Sequence, residues 1–316
     1  MIRRFPDLHR FAILAAAAVL ACAVRPALAA EAVKEAAQPD YQHEMEAWRA
    51  DRDKGLRDEN GWLTLVGLFW LDEGENKVGS DAGSNRVILP EDKAPALAGT
   101  LVRHGKEVKL NPAPGGGITV EGKPVTEPLA LTRDATGKPT LLQLGSLTLF
   151  VIERGDKVGV RVKDSRSPAL AAFRGLDFYP VHPAWRIDAR FEPYKPAKKV
   201  PIANVLGQVT DEDSPGAVVF DRQGKTYRID ALTGGEDGSL FLLFADQTSG
   251  KETYGAGRFL DAGAPQDGKV VVDFNTAYNP PCAFTSFATC PLPPAQNRLA
   301  VRVEAGEKKY GEGHGH

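Results

Sequence analysis

The chain has 316 residues, with 39 basic and 41 acidic side chains and a formal net charge of −2 at pH 7. This balance excludes the strongly basic surface that proteins use to bind nucleic acids or anionic membranes. The 32 Gly and 23 Pro are typical of many short strands joined by turns, so we expect a mainly β fold.

Residues 1–29 have the three parts of an export signal. Arg3, Arg4 and Arg10 form a positive region, residues 11–24 are apolar, and residues 27–29 (ALA) form a small-x-small cleavage site. The apolar run is shorter than the ~20 residues that a membrane-spanning helix needs. We therefore expect a signal peptide, a periplasmic or secreted protein, and no transmembrane segment in the mature chain.

Cys22 leaves an alternative open, because residues 19–22 (VLAC) weakly match a lipoprotein processing site. The protein would then be anchored through a lipid at Cys22. Without residues 1–29, which hold four Arg and one Asp, the mature chain has a formal charge of −5.

Two cysteines remain after cleavage, Cys282 and Cys290. Thiols in an oxidising compartment usually pair, and a disulfide closing so short a loop would stabilise the fold by roughly 2–3 kcal/mol. A free catalytic thiol and a metal site are the alternatives.

The first predicted element after the leader is a helix over residues 41–60, with Asp40 as its N-cap. A dense apolar run with two Trp follows at residues 61–71, and we expect a buried strand bent at Gly67. The predicted layout has a leader and helix at 30–60, a β-sandwich at 61–165, a second β unit at 166–310 and a disordered tail at 311–316.

Short strands separated by turns fill the first β unit at a spacing near ten residues, which is typical of a β-sandwich. The candidate strands are residues 76–79, 86–89, 99–104, 107–110, 118–120, 129–131, 140–144, 147–154 and 158–162.

The order of motifs over residues 73–164 resembles a forkhead-associated domain. The matching strings are residues 77–80 (KVGS), 87–90 (VILP), 120–125 (VEGKPV) and 144–147 (LGSL). Forkhead-associated domains read phosphothreonine with a Ser-Arg-x-x-His group, but residues 94–99 (APALAG) contain no Arg, Ser or His. The resemblance therefore implies a sandwich fold and argues against phosphopeptide binding.

A crossover at residues 165–200 leads to the second β unit, for which we expect a second sandwich or a barrel-like unit. Gln223-Gly224 predicts a tight hairpin turn. The candidate strands are residues 200–204, 207–210, 217–221, 225–231, 239–246, 270–273 and 298–305.

The loop that runs from Asp273 to Cys290 is long, irregular and rich in Pro, Asn and aromatic residues. Long ordered loops of this kind are often functional, and their prolines make them stiff. We expect a binding site built from this loop and nearby polar residues: Asp246, Tyr254, Arg258, Asp273, Asn275, Tyr278, Asn279, Asn297 and Glu307. The alternative is that these side chains only hold the loop against a sheet with hydrogen bonds.

Strings in the same region resemble the family catalogued as domain of unknown function 1684. The matching strings include residues 61–63 (GWL), 67–71 (GLFWL) and 279–284 (NPPCAF), and the resemblance extends over the whole mature chain. That family has no established activity that could be carried over.

No catalytic signature is present. A cysteine nucleophile needs a base, for which His182 is the best candidate, and a closed zinc site needs more ligands than two cysteines supply. We expect no cofactor and no metal. The predicted function is a periplasmic ligand-binding or interaction protein that takes a small molecule or an envelope component. The alternative is a hydrolase of an envelope or nutrient substrate that uses a carboxylate (Asp246 or Asp273) or Cys282.

Overall fold

A computed structural model describes residues 38–311. Strands account for 43% of the residues and helices for 15%, so the predicted fold class, mainly β with an N-terminal helix, is confirmed. The predicted signal peptide, the lipidation site at Cys22 and nearly all of the predicted tail lie outside the described residues.

The N-terminal helix, α1, spans Gln38–Arg57. It begins three residues earlier than predicted, so Asp40 lies in its first turn and is not its N-cap. Gly61 fits closely against its end: a Cβ there would lie 2.6 Å from the carbonyl oxygens of Gly55 and Leu56. The chain can leave the helix along this path because residue 61 has no side chain.

Two sheets with short strands form the predicted β-sandwich. The strands are β1 Leu65–Trp70, β2 Gly74–Gly79, β3 Val87–Ile88, β4 Gly99–His104, β5 Glu107–Pro112, β6 Thr119–Val120, β7 Lys123–Pro124, β8 Leu129–Leu131, β9 Leu142–Leu144, β10 Leu147–Arg154 and β11 Lys157–Asp164. The first sheet is antiparallel with the order β1-β11-β10-β9-β6-β7, and the second has the order β3-β2-β4-β5-β8 and contains one parallel pair, β2 with β3.

Alternating apolar residues of both sheets meet in one core. Leu101 and Leu110 from the second sheet and Leu147 and Val160 from the first are at most 1% exposed. The predicted bend near Gly67 is present as an irregularity in the pairing of β1 with β11 between Leu65 and Gly67.

A third sheet, with the order β16-β15-β14-β13-β12-β17, curls into a half-barrel. A short helix, α2 at Pro168–Ala172, precedes it. Its strands are β12 Arg186–Ala203, β13 Val209–Arg222, β14 Lys225–Thr233, β15 Leu240–Phe244, β16 Arg258–Ala262 and β17 Lys269–Asp273. The tight turn predicted at Gln223-Gly224 joins β13 and β14, with positive φ at both residues.

The interior of the half-barrel is filled by the C-terminal segment rather than by a second sheet. Leu299, Val301, Val303 and Ala305 pack in the same core as Phe274, and all are at most 6% exposed. The strand predicted at residues 298–305 is therefore wrong: only Arg298 makes a β-bridge there, to Ala245.

Candidate functional site

The predicted site residues are mostly buried and bonded to one another. Arg258, at the start of β16, is 1% exposed and forms an ion pair with Asp246 at 3.0 Å. Its other donors bind the carbonyl oxygens of Val303, Ala305 and Glu307. Burial lowers the pKa of Arg258, and the Asp246 carboxylate opposes that shift. The pair therefore attaches the C-terminal segment to the half-barrel.

Glu307 attaches the same segment to α1 and to the predicted loop. Its carboxylate accepts hydrogen bonds from Arg52 Nε at 2.7 Å and from the Asn279 backbone at 2.7 Å, and its side chain is fully buried. Asn279 Nδ2 in turn donates to the carbonyl of Lys308 at 2.7 Å. Burial raises the pKa of Glu307.

Three more predicted residues hold neighbouring segments in place. Asn297 is 1% exposed and exchanges hydrogen bonds with Asp230 on β14, while its Nδ2 also donates to Leu243 on β15. The Tyr254 hydroxyl donates to the carbonyl of Cys282 at 3.0 Å. The Tyr278 hydroxyl donates to Asp261 at 2.9 Å, and burial raises the pKa of both tyrosines.

Asp273 and Asn275 differ from the rest, because Asn275 bonds the backbone of a residue that lines a cleft, His182. Asp273 caps the turn after β17 by accepting from the Asn275 backbone. Asn275 is 1% exposed and bonds both the N–H and the carbonyl of His182, at 3.0 Å each. Asn275 thereby fixes the position of His182, the candidate base, which is exposed at the cleft described below.

Cys282 and Cys290 are buried free thiols, so the predicted disulfide is not formed in this structure. The sulfur of Cys290 instead accepts a hydrogen bond from the Cys282 backbone N–H at 3.1 Å. The Cys282 thiol and burial raise the pKa of Cys290. At 0% and 4% exposure, neither thiol is open to a substrate.

These contacts favour the interpretation in which the polar set holds the loop and the C-terminal segment in place. Asp246, Arg258, Asn279, Asn297 and Glu307 are each at most about 1% exposed at the side chain, and each bonds a neighbouring segment. Their chemistry is therefore used within the fold.

A cleft with a volume of about 850 Å³ lies at the turn between β13 and β14, and its lining combines cationic and aromatic side chains. The lining residues are Tyr179, Pro180, His182, Trp185, Arg222, Gln223, Lys225, Tyr227, Gln247, Ala300, Val301, Arg302 and Glu304.

Arg222 has the most unusual contacts in this cleft. Its guanidinium lies 3.5 Å from the ring centre of Trp185, and Nη1 donates to the carbonyl of Ala184 at 2.9 Å. Among the described residues, no carboxylate lies within ion-pair distance of it, Nη2 has no hydrogen-bond partner, and the buried Nε has none either. Nη2, unlike Nε, is not buried, so it can donate a charge-assisted hydrogen bond to a carboxylate in the cleft. Burial lowers the pKa of Arg222.

Lys225 adds a second cation. It is paired directly across the hairpin from Arg222 and makes no ion pair with a described residue. Like charges directly opposite each other in a sheet are destabilising. By contrast, Arg302 is neutralised by Glu252 at 2.6 Å and Glu304 at 2.9 Å. The cleft therefore has an unneutralised positive end formed by Arg222 and Lys225.

Aromatic rings form the walls of the cleft. Trp185 is 5% exposed, and Tyr227 stacks on Phe220 with 5.6 Å between ring centres. The Tyr179 hydroxyl donates to Glu252 at 2.8 Å, and burial with this carboxylate raises its pKa to about 12. His182 Nδ1 accepts from the backbone of Ala184, so a neutral imidazole carries its proton on Nε2. Such walls suit a ligand that has an apolar or aromatic part.

Arg222, Lys225 and Trp185 are not among the site residues predicted from the sequence. One signal was available: two cations directly flank the predicted Gln223-Gly224 turn, and a tight hairpin places such residues opposite each other. Nothing local indicated that Trp185 would lie under Arg222.

Within residues 38–311, no group of three or more His, Cys, Asp or Glu side chains is arranged to hold a metal ion. In the same part of the chain, no helix is both long and apolar enough to cross a membrane.

Comparison with solved structures finds an uncharacterized protein of Haloarcula marismortui determined by solution NMR. It is 28% identical, with a TM-score of 0.37, and the alignment covers 44% of this chain and 78% of that one. Comparison with curated proteins finds no match. The resemblance of residues 73–164 to a forkhead-associated domain stays a prediction. Residues 171–308, which contain the half-barrel and the predicted loop, match the model of a family described as a protein of unknown function, DUF1684.

Proposed function

We propose that this protein is an exported binding protein that takes a small organic anion, an acid with an aromatic or apolar body, in the cleft at the β13–β14 turn. The observation that carries the proposal is the Arg222 guanidinium, which stacks on Trp185, lacks a carboxylate partner among the described residues and is paired across the hairpin with Lys225. A carboxylate at its free Nη2 would accept a charge-assisted hydrogen bond and relieve the repulsion between the two cations.

The cleft supports a binding role better than a hydrolytic one. The carboxylates considered for hydrolysis are engaged, Asp246 with Arg258 and Asp273 with the Asn275 backbone. Cys282 is fully buried. The predicted Asp273–Cys290 loop contributes indirectly, since Asn275 positions His182 at the rim of the cleft.

The test is titration of the mature chain with sodium benzoate and, separately, with inorganic phosphate, followed by calorimetry and tryptophan fluorescence. We expect benzoate to bind in the millimolar range and Arg222→Gln to weaken it about tenfold, the effect of losing ~1.4 kcal/mol. Arg222→Lys should weaken it by a smaller factor, because a lysine keeps the charge but loses the planar guanidinium that stacks on Trp185.

Arg190→Gln is the matched control, because Arg190 is an exposed arginine on β12 that is absent from the cleft lining. It should bind benzoate like the wild type. Equal binding by Arg222→Gln and the wild type would refute the site. Phosphate binding as tight as benzoate binding would refute the role of the aromatic walls.

Export is part of the same proposal and rests on residues 1–29. We also propose that the whole mature chain, and not only residues 171–308, belongs to the DUF1684 family. Expression of the full chain in a bacterium, followed by mass spectrometry of the mature N-terminus, should give cleavage after Ala29 or Ala30. A lipidated Cys22 would replace the soluble form with an anchored one, and an intact N-terminus would contradict export.

A further inference from the structure

A second cleft, with a volume of about 570 Å³, lies between the β10–β11 hairpin and the long β12–β13 hairpin, away from the site proposed above. Arg154 and Thr289 line one part of it, and Gln208, Thr210 and Glu212 line another. Cleft volumes of this size are typical of small-molecule sites.

At the part of the cleft lined by Arg154 and Thr289, called the arginine end, two arginines donate to the same hydroxyl. Thr289 Oγ1 accepts from Arg154 Nε at 3.2 Å and from Arg161 Nη2 at 3.0 Å. A hydroxyl that accepts two hydrogen bonds still has its own proton to donate. No described residue accepts that proton, so the Thr289 O–H can bond an acceptor inside the cleft.

Arg161 lies behind Thr289 and is only 6% exposed. Its Nε is buried without a partner, and no described carboxylate lies within ion-pair distance. The nearby Asp134 is bound to Arg154 at 2.7 Å. Burial, with the charge of Arg154, lowers the pKa of Arg161 to about 10. This end therefore combines one free donor, the Thr289 O–H, with the buried Arg161, which makes no ion pair with a described carboxylate.

The other end of the cleft is acidic. Gln208 Nε2 donates to the carbonyl of Arg154 at 3.1 Å, which places Gln208 at the arginine end. Glu212 is four residues further along, on the same face of an extended chain, roughly 13 Å away at ~3.3 Å per residue. Glu212 accepts from Thr210 at 3.0 Å and makes no ion pair with a described cation.

We propose that this cleft binds a short peptide with free ends, its C-terminal carboxylate at Thr289 and Arg154, in front of the buried Arg161, and its N-terminal ammonium at Glu212. The separation of the two ends fits an extended chain of about three or four residues, since each residue spans ~3.3–3.6 Å. The carboxylates of the lining disfavour a polyanion, and Phe241 and Leu232 offer apolar contacts to the side chains of the peptide.

The test compares three probes on the mature chain by calorimetry: trialanine, trialanine amide and N-acetyl-trialanine. We expect trialanine to bind, amidation to weaken it about tenfold because the carboxylate is lost, and acetylation to weaken it about threefold or more. Equal binding of the amide and the free acid overturns the proposal, and so does the absence of trialanine binding at about 10 mM.

Matched variants identify the two ends. Thr289→Val keeps the shape of the side chain and removes its hydroxyl, so it should weaken the binding of trialanine but not that of trialanine amide. Glu212→Gln, on an exposed part of β13, should weaken the binding of trialanine but not that of N-acetyl-trialanine. Glu236→Gln changes an exposed glutamate that does not line the cleft, so it should leave the binding of both peptides unchanged. Wild-type affinity in Glu212→Gln would overturn the proposal even if Thr289→Val failed to fold. Arg222→Gln should leave trialanine binding intact, which separates this site from the proposed organic-anion site.

Discussion

Gly306 lies where the C-terminal segment passes closest to the predicted loop. Its φ is +75°, and a Cβ would lie 2.4 Å from the carbonyl oxygen of Ala277 and 2.8 Å from that of Phe274. Both contacts are to backbone, so Gly306→Ala must shift the segment that Arg258 and Glu307 hold. The left-handed φ costs about 1 kcal/mol for Ala, and the loss of one or two buried hydrogen bonds adds about 1–3 kcal/mol. We expect a total destabilisation of about 2–4 kcal/mol.

Gly268→Ala is the matched control, because Gly268 has nearly the same φ, +73°, but no neighbouring atom within 4 Å of the place that a Cβ would take. It should cost only the conformational part, about 1 kcal/mol. Equilibrium unfolding in urea, followed by tryptophan fluorescence, measures both variants. Equal destabilisation by the two variants would refute the close packing of the C-terminal segment and with it the structural role assigned to the buried polar set.

Three further predictions concern the same region. Asn297→Ala should destabilise the protein by about 2–4 kcal/mol in urea unfolding, because buried backbone groups on two strands lose their partner; a change below about 0.5 kcal/mol would contradict this. Burial raises the pKa of Glu307 above its ordinary value of 4.5, so the stability it contributes is present below about pH 4.5 and is lost as the pH rises through the folded-state pKa. The unfolding free energy of the wild type minus that of Glu307→Gln should therefore fall as the pH rises above about 4.5, and a constant difference would be the wrong outcome. Cys282 and Cys290 should resist a thiol reagent in the native mature protein and both react after unfolding without reductant, whereas no reaction after unfolding would reveal a disulfide.

The sandwich could be predicted from the sequence almost strand by strand. The strands at Gly99–His104, Leu129–Leu131 and Leu147–Arg154 have the predicted bounds. Local information was sufficient there, because apolar alternation and Gly-containing turns determine both the strand and its ends.

Local patterns were insufficient in the half-barrel. Residues 298–305 alternate like a strand, but their backbone is bonded by buried side chains, notably Arg258 and Asp246, instead of by a neighbouring strand. Most of β12, at Arg186–Ala203, lies in the stretch predicted as a crossover, and prolines and charges interrupt its apolar pattern. It tolerates them through an irregular register with β13 between Pro193 and Lys198.

The candidate site was predictable only in part, for a similar reason. The sequence indicated the polar residues that cluster around the loop, but polar residues that bind a ligand and those that bind backbone look alike until burial is known. The organic-anion cleft depends on the approach of Trp185, just before β12, to Arg222 at the end of the neighbouring strand β13.

The most direct test of the proposed function is a crystal structure of the mature protein with 4-bromobenzoate, located by the anomalous signal of bromine. The account predicts the carboxylate at Nη2 of Arg222, within reach of Lys225, and the bromine between the aromatic walls of the cleft. Bromine bound only elsewhere, or bound equally in a crystal of Arg222→Gln, would contradict it.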